Sequence, residues 1–201
     1  MYSLCYNKSM GKSTFRGGER VIKSRPHRLP QVLSADEQTA LLRQIHNPRD
    51  RLVVRLMLAT GLRASELAGL RRDNLEPKEG CLRVIGKGDY ERILWVPLPL
   101  LREMRAYMKK HPGEHIFNTR NSTPVCTSYL RQLFALAGRR AGIPRRIHPH
   151  MLRHTFATEL YTRTKNIRLV QRALGHAHIG TTEIYTYVAD TDVREAMQGK
   201  K

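Results

Sequence analysis

One strongly apolar helix constrains the fold of this chain more than any other feature of the sequence. Residues 52–58 read Leu-Val-Val-Arg-Leu-Met-Leu, between Pro48, which suits the first turn of a helix, and Gly61, which suits the left-handed residue that closes one. A helix with so many apolar residues is stable only when other elements surround it. The sequence therefore predicts a globular domain whose core contains this helix.

Helical signals dominate the remainder of the chain. The Ser34-Ala-Asp-Glu37 sequence has the form of a capping box and predicts a helix from there to about Ile45. Two short β-rich runs, 81–85 and 92–96, flank a glycine-containing tip and predict a hairpin. We therefore expect a mainly α fold with one small antiparallel β-sheet, of the α+β class. Further helices are predicted at about 65–70, 98–110, 127–141, 149–163, 166–174, 181–187 and, weakly, 190–198.

Length and composition favour one domain with basic ends. The 201 residues, 40% hydrophobic and 26% charged, suffice for one core. Residues 1–32 are basic and have no sustained apolar period, which predicts a flexible arm; the domain is expected over 33–190, and a tail over 191–201. The chain has no apolar run near the ~20 residues of a membrane span and no signal-peptide pattern at its start, so we predict a cytoplasmic protein without a membrane partner.

The charge of the chain predicts a polyanionic partner. Lys and Arg number 36 against 17 Asp and Glu, which gives a net charge of +19. Residues 1–30 hold seven of those cations and one acid, so 29 cations and 16 acids remain and the rest of the chain carries +13. The alternative is a basic protein whose charges only solvate it, and a high isoelectric point alone separates the two poorly.

The sequence favours neither a metal nor a nucleotide cofactor. Cys5, Cys81 and Cys126 are far apart, which predicts buried free thiols rather than disulfides or a zinc knuckle. His150 and His154 have the spacing of a zinc helix, but Met151 stands where the H-E-x-x-H motif requires Glu. The Gly-Lys-Gly sequence at 86–88 is not a phosphate loop, so ATP is not implied.

An anion suits the histidine-rich helix better than a metal. His150, Arg153 and His154 are three or four residues apart and can share a helix face. A guanidinium matches two phosphate oxygens, and an imidazole can move a proton near neutral pH. Taken singly, Arg153 could instead be a surface ion-pair partner, His150 a helix cap and His154 a satisfied core histidine.

Several other motifs, far from this helix in the sequence, occur together with it in a recognisable order along the chain. Arg63 follows a helix-ending glycine, with Glu66 three residues on and able to orient it; Leu-Gly-His176 lies at a second glycine-terminated helix end, before Thr-Thr-Glu-Ile-Tyr-Thr-Tyr187. The set resembles the tyrosine recombinases of the Xer and phage-integrase kind, over roughly residues 33–190. The resemblance implies that fold and six catalytic residues: Arg63, Lys87, His150, Arg153, His176 and Tyr185.

The resemblance identifies Tyr185 as the nucleophile. It would attack a DNA phosphodiester, leaving a 3′-phosphotyrosyl bond and a free 5′ hydroxyl, without any cofactor. Tyr187 stands where relatives often carry His and is the competing candidate.

The other five residues supply charge and protons in this family. By resemblance, Arg63 and Arg153 hold the non-bridging phosphate oxygens, and His176 donates a hydrogen bond to the phosphate. His150 accepts or relays a proton, and Lys87 protonates the departing 5′ oxygen.

The resemblance also implies partners and leaves alternatives open. The expected partner is double-stranded DNA, on which the protein self-associates into a synaptic tetramer. Family members commonly carry a separate DNA-binding domain before the catalytic one, although some relatives lack it. The tail after Tyr185 either docks onto a neighbouring protomer or frays. We predict a site-specific recombinase of a mobile element, phage or invertible segment; a DNA-binding regulator without turnover and a type IB-like topoisomerase are the alternatives.

Overall fold

The expected mainly α architecture with one small sheet is confirmed in a computed structural model that describes residues 30–76, 78–85, 91–119 and 121–175. The predicted helices at 181–187 and 190–198, and the hairpin tip, lie outside these ranges. A single 3₁₀ turn, Arg72–Asn74, precedes the sheet. The described elements are α1 Ala35–Arg43, α2 Pro48–Thr60, α3 Ala64–Ala68, β1 Leu75–Glu76, β2 Cys81–Ile85, β3 Glu91–Trp95, α4 Leu98–Lys110, α5 Thr127–Arg140, α6 Pro149–Thr164 and α7 Ile167–Leu174.

Helix α2 occupies the core, as its composition predicts. Its side chains at Val53, Val54, Leu56 and Met57 are fully buried, and it packs against α4 and α6. Gly61 ends the helix with φ +65°, and a Cβ there would lie 2.4 Å from the Phe156 ring on α6. The glycine therefore serves both the left-handed turn and the close approach of α6.

The sheet has three antiparallel strands in the order β1-β2-β3, and Leu82 of β2 pairs with Leu94 of β3. The two-residue strand β1 was not predicted, because so short a run carries no detectable alternation of apolar and polar residues. The strands β2 and β3 match the predicted hairpin arms to within one residue.

The structure tests two further local predictions, the capping box at the start of α1 and the burial of the cysteine thiols. The Ser34–Glu37 capping box is present, with Ser34 Oγ accepting from the Glu37 amide at 3.2 Å and Glu37 accepting from the Ser34 amide at 2.9 Å. Cys81 is buried as expected, but the prediction of a buried thiol is wrong for Cys126, which is exposed. Cys126 precedes the first turn of α5, where its side chain reaches solvent and Ser128.

Candidate active site

Arg63 stands at the point where α2 turns into α3. The turn at Gly61 and the buried Leu62 lead into Arg63, the N-cap residue of α3, whose side chain is 31% exposed. Glu66 accepts hydrogen bonds from Arg63 Nη1 at 2.7 Å and from the Arg63 backbone amide at 2.8 Å. The predicted orientation of Arg63 by Glu66 is confirmed, and the Arg63 side chain remains partly accessible to solvent.

Arg153 connects two segments that are far apart in the chain. It lies within α6 at 5% exposure, so the alternative of a surface ion-pair partner is wrong. Its Nη1 donates to the carbonyl of Gly61 at 2.6 Å, and its Nη2 donates to the carbonyl of Leu174 at 2.7 Å. The first carbonyl is two residues before Arg63 and the second is two residues before position 176. Arg153 therefore brings the segment that carries Arg63 beside the end of α7.

Three histidines surround the start of α6. His148 is the N-cap residue, with Nδ1 accepting from the amide three residues on at 3.3 Å, so the cap is His148 and not His150, which is exposed in the first turn. Burial lowers the pKa of His148, and the charges of His150 and Arg146 add to this effect. Burial, followed by the charges of His150, His148 and Arg153, lowers the pKa of His154 to about 4. His154 is therefore neutral at physiological pH.

Three of the six predicted catalytic residues lie outside the described ranges, namely Lys87, His176 and Tyr185, as does the competing Tyr187. The structure describes the segments that lead to them. Strands β2 and β3 flank residues 86–90, and α7 ends at Gly175 with φ +64°, the glycine-terminated helix end that the sequence predicts.

Sequence reasoning missed one member of this site, Arg92 on β3. Its Nη1 and Nη2 each donate to a Glu66 oxygen at 2.7 Å, and its side chain is only 10% exposed. Alternation along β3 places Arg92 on the same face as Leu94, but only the structure shows that this face is the buried one. An arginine on the inner face of a strand requires a buried acidic partner.

Within the described ranges, no group of three or more His, Cys, Asp and Glu side chains is arranged to hold a metal ion. In the same residues, no helix combines the length and the apolar character needed to cross a membrane.

Comparisons with known proteins agree with this fold. The model of the phage integrase family matches residues 29–192. The tyrosine recombinase XerA of Pyrococcus furiosus is 36% identical over 181 residues, covering 86% of this chain and 63% of its own length. The tyrosine recombinase XerD of Staphylococcus aureus strain Mu50 is 35% identical over 181 residues, covering 84% and 61%. The chain thus spans less than two thirds of the length of these relatives.

Solved structures agree as well. A crystal structure of XerA recombinase superposes with a TM-score of 0.75 at 31% identity, covering 88% of this chain and 67% of that one. The XerH site-specific recombinase, in a post-cleavage complex with a palindromic difH substrate, gives 0.74 at 27% identity, covering 85% and 53%.

The fold is that of the catalytic domain of tyrosine recombinases. Because the family model matches most of the chain, this protein belongs to the phage integrase family.

Proposed function

We propose that this chain cuts and rejoins double-stranded DNA as a site-specific recombinase, with residues 33–190 as the catalytic domain. The observation that carries the proposal is the bridge from Arg153 to the carbonyls of Gly61 and Leu174. This pair of hydrogen bonds joins the segment that carries Arg63 to Leu174, which directly precedes Gly175 and His176. Two arginines on segments that are connected in this way suit a phosphate whose negative charge increases during attack.

The reaction is a transesterification. The Tyr185 oxygen bonds to phosphorus as the bond to the 5′ oxygen breaks, and Lys87 gives that oxygen a proton. The phenol proton leaves through His150 or a neighbouring group, because a phenol with a pKa near 10 is a weak nucleophile until its proton is accepted. One phosphodiester replaces another, so no nucleotide hydrolysis and no cofactor are required. These assignments rest on the sequence motifs and on family membership.

Basic surface beside α6 supports DNA as the substrate. Arg139 and Arg146 are exposed and line one groove with Arg145, next to the start of α6. Glu37 already neutralises Arg145 through two hydrogen bonds of 2.6 Å, so Arg139 and Arg146 supply the free charge of this groove. Contacts of this kind bind phosphate without reading sequence.

Partners and location follow from the reaction. Strand exchange requires two duplexes and several active sites, so we propose assembly on DNA into a synaptic tetramer, in the cytoplasm. The similar XerH site-specific recombinase was solved bound to a palindromic difH substrate, which supports DNA as the partner.

Covalent trapping on DNA tests this function against its alternatives. We expect the protein to form an SDS-resistant adduct with a nicked suicide duplex carrying its recombination site, even in excess chelator. A DNA-binding regulator would bind the same duplex and form no adduct. A topoisomerase would relax supercoils without requiring a defined site, whereas the recombinase is expected to depend on the site.

The role of Lys87 is tested through the leaving group. We expect Lys87→Ala to slow cleavage of an ordinary phosphodiester by roughly 10²-fold or more, the usual contribution of a general acid. A 5′-bridging phosphorothiolate needs no such proton because a thiolate leaves readily, so its cleavage by Lys87→Ala should stay close to the parent rate. Equal losses on both substrates in a single-turnover assay would remove Lys87 from the acid role. The exposed Lys109→Ala variant on α4 is the control for loss of one charge.

A further inference from the structure

One carboxylate at the site is shared by two guanidiniums. Glu66 is 5% exposed, and its two oxygens accept four hydrogen bonds, two from Arg92 and two from Arg63, all of 2.7 or 2.8 Å. Arg92 is nearly as buried as Glu66, whereas Arg63 is 31% exposed. The Arg92 guanidinium is therefore largely covered by protein, whereas the Arg63 side chain is accessible from solvent.

Sharing the carboxylate changes the charge available at Arg63. Burial would raise the pKa of Glu66, but the hydrogen bonds from Arg92 and Arg63 and the charge of Arg92 outweigh burial and hold this pKa below its usual range. Glu66 is therefore ionised at neutral pH. Arg63 with Glu66 alone would form a neutral pair, and an approaching phosphate would meet little net attraction. With Arg92 included, the cluster carries one net positive charge, and Arg63 is its exposed member.

Arg92 also contacts the segment that leads to His176. A Cβ on Gly175 would lie 2.9 Å from Arg92 Cδ and 3.2 Å from its Nη1, so the arginine packs directly against the end of α7. Along the chain, Arg92 is the second residue of β3, the strand that follows the hairpin tip containing Lys87. One buried side chain therefore touches the carboxylate that orients Arg63 and the helix end before His176.

We propose that Arg92 is a positioning residue that balances the charge of Glu66, so that Glu66 can orient Arg63 without cancelling the charge that Arg63 offers to phosphate. The proposal rests on the proposed function, since it assumes that Arg63 binds the reacting phosphate. Arg92 itself does not touch the substrate in this account.

A single variant and a double variant test the charge balance. Arg92→Met leaves Glu66 to pair with Arg63 alone, and we expect covalent trapping to slow roughly 10- to 100-fold in a single-turnover assay. Adding Glu66→Gln removes the unbalanced carboxylate, so the double variant should react about 5- to 10-fold faster than Arg92→Met. If Arg92 only supported packing, the second substitution would bring no recovery. A double variant as slow as Arg92→Met, or slower, would therefore overturn the proposal.

A second readout does not depend on strand cleavage. Titration with inorganic phosphate, followed through the Arg63 Nε–H resonance, should give weaker binding for Arg92→Met and recovery for the double variant. Unchanged phosphate binding in Arg92→Met would contradict the proposal. A parent protein that forms no adduct but shows this pattern would instead contradict the proposed function and retain the role of Arg92.

Matched controls separate charge from folding. Arg83→Met removes a cation from the adjacent strand, where Arg83 is 54% exposed and pairs with Glu76, and it should leave both readouts unchanged. Should Arg92→Met fail to fold, Arg92→Gln makes the same charge change with a polar group, and the same recovery on adding Glu66→Gln is expected. Thermal unfolding of each variant identifies those that are folded.

Discussion

Tyr185→Phe is expected to abolish covalent attachment to DNA while DNA binding stays within a few-fold of the parent protein. Phenylalanine keeps the ring and removes the only atom that could bond to phosphorus, so the reaction has no nucleophile. Binding should persist because phosphate contacts come from arginine and lysine side chains elsewhere. Adduct formation on a suicide duplex and fluorescence anisotropy on an intact one, both at the same salt concentration, measure the two effects.

The matched control is the tyrosine two positions further on. Tyr187→Phe removes an identical hydroxyl and should form adduct at close to the parent rate. The opposite pattern, loss in Tyr187→Phe with attachment retained in Tyr185→Phe, would transfer the nucleophile to Tyr187. It would leave the reaction class unchanged, because either phenol could form a phosphotyrosyl bond.

Arg153→Met is expected to damage stability and activity together. Methionine fills similar space but leaves the carbonyls of Gly61 and Leu174 without their donor. An unpaired buried acceptor costs about 1–3 kcal/mol, partly offset because a buried charge is removed, so we expect the free energy of unfolding to fall by about 2–4 kcal/mol. Adduct formation should fall by roughly 10³-fold or more, because the phosphate loses a donor and the two segments lose their connection.

Urea unfolding measures the stability change, and Arg102→Met is its control. Arg102 is exposed on α4, and surface substitutions of this kind usually change stability by less than about 0.5 kcal/mol. If Arg153→Met were as stable as this control, the two carbonyl contacts would not hold the site together. The account of the site as one connected unit would then be wrong.

Helices were largely predictable because their signals are local. Pro48 and Gly61 bound α2 as expected, and Gly175 ends α7 as expected, in a left-handed conformation. These residues act through their own backbone preferences, which tertiary packing here reinforces. The orientation of Arg63 by Glu66 was predictable for the same reason, since three residues separate them.

The orientation of β3 was harder to predict than its position, because neither face of the strand is purely apolar. Ile93 and Trp95, at 55% and 67% exposure, occupy its outer face, while Arg92 and Leu94 face inward. Apolar alternation alone would favour the reverse orientation, since Trp and Ile usually lie inside. Arg92 faces inward because it pairs with the buried carboxylate of Glu66. A partner 26 residues away leaves no local pattern in the sequence of β3.

Long-range hydrogen bonds were also beyond sequence reasoning. Arg153 reaches Gly61 across 92 residues and Leu174 across 21. The family resemblance grouped Arg63 with Arg153, but the manner of their connection, through backbone carbonyls and not a shared acid, required the fold.

The central claim is that a tyrosine of this chain exchanges one phosphodiester for another. Its most direct test is the chemistry of the DNA ends in the trapped complex, read by mass spectrometry of the attached peptide and by end labelling of the released strand. We predict a phosphodiester between Tyr185 and a 3′ end, and a 5′ end that polynucleotide kinase labels without prior phosphatase treatment. Attachment through a 5′ phosphate, or cleavage that leaves no peptide on either end, would contradict the account.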